Sequence, residues 1–219
     1  MGKRAPKRNA EDPTAGIRNA IVEGAFLPNE RLIEEELCSR FDANRGSVRL
    51  ALARLEQEGL VTREPNRGAR VRFVPPEEAI QIMQARVMLE ALAARYAALR
   101  ISDDELAILR SINAESKRCA EAGDLFGCSA SNMHLHAAIV EFARHPITAR
   151  LLESLRAQSV VYQFQMILEP GRVDTLLHVH EDVVDAIATR EPEQAERVMR
   201  AHLENVVITL KARVASFTA

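Results

Sequence analysis

Apolar residues recur along most of this chain at intervals of three and four positions, the spacing that places them on one face of an α-helix. In the N-terminal third this period predicts helices at about residues 14–25, 33–40 and 45–58. Two shorter segments, LVTRE and ARVRF, alternate between apolar and polar residues and flank the turn-forming residues Pro65–Gly68. These segments predict a β-hairpin. From residue 77 onward the helical period continues to the end of the chain.

Prolines, glycines and capping residues divide the C-terminal part into separate predicted helices. Pro75 and Pro76 indicate a domain boundary, and Ser102 with Glu105 has the pattern of a capping box that opens a helix. Short connections between long helices imply antiparallel neighbours in a bundle. The expected helices span residues 77–99, 102–122, 124–143, 146–168, 172–190 and 192–215.

These elements predict a mainly α protein with two domains and a flexible basic arm at residues 1–12. Three helices and a hairpin within residues 13–75 have the layout of a winged helix-turn-helix. Residues 76–219 are expected to form an all-α helical bundle.

Charge is divided unevenly between the two predicted domains. Residues 1–75 hold 14 Lys and Arg against 11 Asp and Glu, whereas the remainder holds 15 against 20. The basic N-terminal part is therefore the candidate for binding a polyanion. The three cysteines have no paired metal spacing, and no apolar run approaches the roughly 18 residues of a membrane helix. We expect a cytoplasmic protein with reduced thiols and no membrane partner.

The third predicted helix has the properties of a recognition helix, which packs one face on its domain and presents polar groups to the major groove. Arg45 and Arg49 lie four positions apart near its N-terminus, where the helix dipole also favours phosphate. An ordinary solvated basic patch is the alternative for these arginines alone. With the basic hairpin added, double-stranded DNA is the expected partner, contacted by Asn44, Arg45, Ser47, Arg49, Arg67 and Gly68.

Residues 16–74 resemble the DNA-binding domain of the GntR superfamily of bacterial regulators. The resemblance rests on the segments IVEGAFLPNERLIEEEL, GSVRLALARL and EQEGLVTREPNRGARV. The chain departs from the family pattern at Asn44 and Gly46, where Ser and Pro are usual, and at Leu50, where Glu is common. Because one such domain reads only a half-site, the resemblance and the geometry imply a homodimer on a near-palindromic operator.

All six histidines follow residue 130, and three of them lie on inward-facing stripes of separate predicted helices: His136, His180 and His202. Asn132 precedes His136 by four positions and shares its helix face. Three imidazoles and one oxygen group make a site of the kind that holds zinc or nickel. The alternative for each buried histidine is an ordinary hydrogen-bonded core residue.

Residues 77–210 resemble the FCD effector-binding domain of the FadR-type branch, in its shorter, six-helix, vanillate-regulator-like form. The matching segments are RVMLE, which starts at Arg86, together with NMHLH, HEDVVDAI and MRAHLENV. The resemblance implies a divalent ion, zinc or nickel, held by His136, His180, His202 and Asn132, with Asn132 standing where the family has Asp. It also implies a small organic acid as effector, and Arg86 is the candidate clamp for its carboxylate.

The expected function is a transcription regulator, most simply a repressor, whose operator binding changes when a small carboxylate binds at the metal. A metal sensor, in which the ion itself is the signal, is an alternative. A metal-dependent hydrolase is a further one, but the histidine cluster lacks a good general base. We therefore do not expect an enzyme.

Overall fold

The computed structural model describes residues 12–22, 24–64, 68–155 and 172–218. The chain divides into two compact units, Met1–Val74 and Pro75–Ala219. Among the described residues, no helix is long and apolar enough to cross a membrane. The basic arm predicted at residues 1–12 lies outside the described residues except for Asp12, whose carboxylate accepts the backbone N–H of Thr14 at the start of the first helix (3.1 Å).

The helices of the N-terminal unit pack around the third one, as a recognition helix requires. Helix α1 ends three residues earlier than predicted, because Gly24 adopts a left-handed φ of 76° and closes the helix. Helices α1 and α2 both pack against α3. The buried face of α3 consists of the predicted apolar stripe, Val48, Ala51, Leu52 and Leu55. The three helices span Pro13–Val22 (α1), Glu34–Arg40 (α2) and Arg45–Gln57 (α3).

The predicted hairpin is part of a three-stranded antiparallel sheet with the order β1-β3-β2. Strands β2 (Val61–Glu64) and β3 (Gly68–Val71) form the hairpin. Strand β1 (Arg31–Leu32) pairs with the other side of β3 and was not predicted. Two residues are too few to show a strand period, and the strand depends on a left-handed Asn29 (φ 66°) that turns the chain onto the sheet.

In the C-terminal unit, the described residues form six helices close to the predicted bounds. Helix α4 lies against α6, α8 and α9 and is the central element. Alanines at 91, 94, 97 and 98 are buried on α4 and allow neighbouring helices to approach closely. Only residues 146–155 of the predicted helix 146–168 are described. The helices are Pro76–Arg100 (α4), Asp103–Glu121 (α5), Leu125–Phe142 (α6), 146–155 (α7), Arg172–Ala188 (α8) and Pro192–Thr218 (α9).

The start of α5 is fixed by the predicted capping box. The Ser102 hydroxyl accepts the Glu105 backbone N–H at 3.2 Å, and the Glu105 carboxylate accepts the Ser102 N–H at 2.9 Å. These two bonds satisfy backbone donors that the first helical turn leaves open. The prediction of a capping box is confirmed.

Candidate metal centre and nucleic-acid interface

Three buried histidines meet inside the C-terminal unit. His136 comes from α6, His180 from α8 and His202 from α9, and each side chain is at least nine-tenths buried. One ring nitrogen of each lies within 4.8 Å of those of the other two. The ring centroids are separated by 5.2 to 5.5 Å. Three helices thus bring together the imidazoles that the sequence pattern placed on inward faces.

The nitrogen separations suit a shared metal ion. His136 Nε2 and His202 Nε2 lie 3.4 Å apart. Two nitrogens bonded to one ion at about 2.0–2.1 Å with a tetrahedral angle would be separated by about 3.4 Å. A hydrogen bond between the two rings is the alternative at this distance, and it requires Nε2 of His202 to carry a proton. The donor set therefore fits zinc or nickel without rearrangement of this pair.

Glu90 of α4 orients one of the imidazoles. Its Oε2 lies 2.6 Å from His136 Nδ1, and its side chain is almost fully buried. With the Nδ1 proton donated to the carboxylate, the Nε2 lone pair of His136 faces the histidine cluster. A carboxylate behind a metal-binding histidine is the common arrangement that fixes the ring and increases its basicity.

Arg86, the predicted effector contact, forms an ion pair with Glu90. Its Nε and Nη2 donate to Glu90 Oε1 at 2.9 and 2.7 Å, and its Nη1 donates to Met83 Sδ at 3.3 Å. The guanidinium and the carboxylate are both buried, so the ion pair balances two charges that burial would otherwise penalise. The Arg86–Glu90–His136 chain was not predicted, although the Arg-x-x-x-Glu spacing on one helix face was visible in the segment RVMLE.

Asn132 lies on α6, one helical turn before His136, and is half-buried. Within the described part of the chain its side chain makes no hydrogen bond. The other three histidines stand apart from the cluster. His134 and His178 are exposed, and His145 Nδ1 accepts the Thr148 backbone N–H at the start of α7.

The candidate DNA-contacting residues of the N-terminal unit are gathered at the first turns of α3. Asn44 is the N-cap of this helix, and its Oδ1 accepts the Ser47 backbone N–H at 2.9 Å. Arg45 is exposed beside it. Arg49 is exposed as well and donates to both carboxylate oxygens of Glu34 at 2.9 Å. This hydrogen bond raises the pKa of Arg49, so the guanidinium stays charged.

The tip of the hairpin is only partly described. Arg67 lies outside the described residues. Gly68 is exposed, has a left-handed φ of 86°, and leaves open space where a Cβ would stand. A backbone of this kind can approach a phosphate closely, but a residue with a side chain would be strained there.

The unpredicted strand β1 adds an arginine that sequence reasoning missed. Arg31 lies directly opposite Arg70 in the β1–β3 register, and both are exposed. Like charges at opposite positions of an antiparallel pair destabilise a sheet. Arg70 donates to the Asn29 carbonyl at 3.0 Å, which holds its guanidinium near the turn before β1. Arg31 and Arg70 therefore place two positive charges side by side on the sheet.

Comparison with known families assigns both units. Residues 11–71 match the family model "Bacterial regulatory proteins, gntR family", and residues 81–205 match the model of the FCD domain. The class of protein defined by this pairing is a DNA-binding transcription regulator, which is not an enzyme. The chain belongs to the GntR family and carries the FCD domain of its FadR-type branch.

Individual relatives agree with this assignment. The chain is 29% identical over 223 residues to the HTH-type transcriptional repressor NanR of Salmonella newport (strain SL254), which covers 89% of this chain and 80% of that protein. The fold of this chain matches that of E. coli McbR/YncC with a TM-score of 0.81 at 20% identity, and the match covers 92% of this chain and 96% of the other. A GntR regulator from Rhodococcus sp. RHA1 gives a TM-score of 0.72 at 22% identity, with coverage of 91% and 95%.

Proposed function

We propose that this chain is a repressor that binds its operator as a homodimer and responds to a small carboxylate bound beside a divalent ion. The observation that carries the proposal is the cluster of His136, His180 and His202, with Glu90 oriented behind it. Zinc or nickel is the expected ion, because both accept imidazole nitrogen in sites with open positions. The named repressor NanR among the relatives supports repression as the direction of control.

The charge of the site favours an anionic effector. Three neutral imidazoles leave the two positive charges of a bound ion uncompensated, and Glu90 is already balanced by Arg86. A carboxylate entering the open coordination positions would neutralise part of this charge in a buried environment. Asn132 is the proposed fourth, weaker ligand or an effector contact. Arg86 is a positioning residue that acts through Glu90.

The site is connected to the start of the C-terminal unit through α4. This helix begins directly after the unit boundary at Val74 and carries both Arg86 and Glu90. A change in the position of His136 when an effector binds would therefore be transmitted to the helix that follows the DNA-binding unit. Such a shift is the proposed physical basis of control.

The proposed DNA contacts divide into two kinds. Arg45 and Arg49 read base edges in the major groove, where arginine makes a bidentate contact with guanine. Ser47, Asn44 and the hairpin residues Arg67 and Gly68 position the protein on the phosphate backbone. In the free protein Asn44 also caps α3, so its amide nitrogen is the atom that remains for phosphate.

The metal and the acid can be tested separately. Metal content is measured on protein purified without chelator, and binding is measured on DNA selected from a random pool by the protein itself. His180→Ala and His202→Ala should lose the metal and the acid response but keep DNA binding, with His178→Ala, an exposed neighbour on α8, as the control. Absence of metal in the parent protein would contradict the proposal. If the ion alone changes DNA affinity and no acid adds to it, the protein is a metal sensor.

A further inference from the structure

The inward face of α5 contains two buried side chains that each have a polar atom without a hydrogen-bond partner among the described residues. Asn113 is 7% exposed and Ser116 is 2% exposed, and both lie on the same face as the buried Leu109. Across the described residues, neither Asn113 Oδ1 nor Ser116 Oγ has a hydrogen-bond partner. The two residues are separated by one helical turn, so their side chains share one surface.

Unpaired polar atoms at this depth are uncommon in folded proteins. Most buried polar groups make a hydrogen bond, because an unmade one costs stability. Two such atoms on neighbouring turns of one helix are therefore unexpected for a face whose only task is packing. Leucine or alanine would serve that task better. The pair is therefore a candidate for hydrogen bonds to a group of another molecule.

The pairing of α5 with α6 places Asn113 and Ser116 near the part of α6 that leads to His136. The two helices are antiparallel neighbours, and the Cys128 thiol of α6 donates to the Ser116 carbonyl of α5 at 3.9 Å. One turn farther from the connecting loop on each helix lie Asn113 on α5 and Asn132 on α6. Asn113 is therefore at the height of the turn that precedes His136.

A second contact relates the same part of α5 to α8. Lys117 forms an ion pair with Glu181 at 3.0 Å. Lys117 follows Ser116 in the sequence, and Glu181 follows His180. The inward face of α5 thus lies against the two helices that supply His136 and His180. A molecule bound at the histidine cluster could extend toward this face.

We infer that Asn113 and Ser116 recognise a hydroxyl group of the effector, and that the effector is a hydroxylated carboxylic acid. This inference rests on the proposed function, in which the carboxylate occupies the metal. The Asn113 Oδ1 atom can only accept, and the Ser116 hydroxyl can accept or donate. A ligand hydroxyl supplies the donor that Asn113 Oδ1 requires. An acid without a hydroxyl would supply no donor to this oxygen.

Matched pairs of acids test the inference on the full-length, metal-loaded protein. Malate with succinate, lactate with propionate and glycolate with acetate differ by one hydroxyl each, and calorimetry gives the affinity of each. The hydroxylated member of at least one pair should bind roughly 10- to 100-fold more tightly, the effect of a ligand hydroxyl that satisfies a buried acceptor. Asn113→Leu and Ser116→Ala should reduce this preference to less than roughly threefold while retaining the affinity for the plain acid.

A control variant and a second readout separate recognition from a structural role. Ser131→Ala removes another buried serine hydroxyl, on α6 and not on the inward face of α5, so the hydroxyl preference should remain. Without acid, Asn113→Leu should raise the melting temperature, because it removes an unpaired buried amide oxygen. A lowered melting temperature with an unchanged preference would overturn the inference and assign both residues to the core.

The outcomes distinguish this inference from the proposal on which it rests. If acids bind in a metal-dependent way but the paired acids bind equally, the role of Asn113 and Ser116 is wrong and the proposed function stands. If no acid of either kind binds the metal-loaded protein, both are wrong.

Discussion

Glu90 shows how one residue can determine the quality of a site that it does not line. Its carboxylate accepts from His136 Nδ1 and is held by Arg86, so the imidazole is fixed in tautomer and orientation. We expect Glu90→Gln to lower zinc affinity about 10- to 100-fold, the usual effect of removing the carboxylate behind a metal-binding histidine. Competition with a fluorescent zinc chelator measures this change.

The matched control for this prediction is Glu181→Gln. Glu181 is an exposed carboxylate next to His180 that pairs with Lys117. Its loss should leave zinc affinity unchanged. Equal effects of the two substitutions would mean that Glu90 acts only through overall charge.

Asn132 allows a prediction in which metal and anion affinity change in opposite directions. Asn132→Asp should tighten zinc binding, because a charged oxygen replaces a neutral one in reach of the ion. It should also weaken binding of a carboxylate, since the added negative charge offsets part of the ion's field. Calorimetry with zinc and then with malate measures both. A variant that changes neither constant would place Asn132 outside the site.

Glu34 pairs with Arg49 in the free protein and would compete with DNA for its guanidinium. Arg49→Ala and Arg45→Ala should each cost about 1–3 kcal/mol of specific DNA binding, the range for a lost bidentate base contact. Because Arg49 pairs with Glu34 in the free protein, Glu34→Gln should instead strengthen DNA binding at low salt. Fluorescence anisotropy with selected DNA checks both. Wild-type affinity in the two arginine variants would contradict the assignment of α3 as the recognition helix.

At the scale of elements, the small sheet of the N-terminal unit provides a separate test. Arg31→Ala on β1 should weaken binding to all DNA sequences alike and reduce the slope of log affinity against log salt by about 1. It should also relieve the repulsion from Arg70 and leave the unit no less stable. Arg118→Ala, an exposed arginine of the C-terminal unit, is the control. A loss confined to the selected sequence would mean that Arg31 reads bases.

Elements in which the apolar pattern repeats over many residues were predictable from the sequence. Elements that depend on tertiary contacts were not. The helices α4 to α6 repeat their apolar pattern over 18 residues or more, so local sequence determined their bounds closely. Strand β1 has two residues and exists because the turn at Asn29 brings it to β3. The same limit applies to the site. The histidines lie on apolar helix faces that the sequence pattern reveals. Glu90 and His136, by contrast, are 46 positions apart in sequence and lie on different helices, so their contact could not be predicted.

The whole molecule is built from two units with separate cores, which leads to a prediction about fragments. Residues 75–219 alone should remain folded and form a dimer, whereas residues 1–74 alone should fold but bind DNA poorly. A monomeric reader contacts one half-site and loses the contribution of the second. Sedimentation and anisotropy measurements on the two fragments check this. A monomeric C-terminal fragment would contradict the expectation that residues 75–219 carry the dimer interface.

The buried Arg86–Glu90 pair also restricts the routes by which this regulator can evolve. Replacing either partner alone breaks a buried ion pair, which costs about 3–5 kcal/mol in typical cases. Replacing both with apolar residues of similar volume is far better tolerated, so the two positions are strongly epistatic. A lineage that loses the pair must therefore pass through an unstable single substitution or acquire both changes together. That barrier would preserve the pair even in descendants that respond to a different signal.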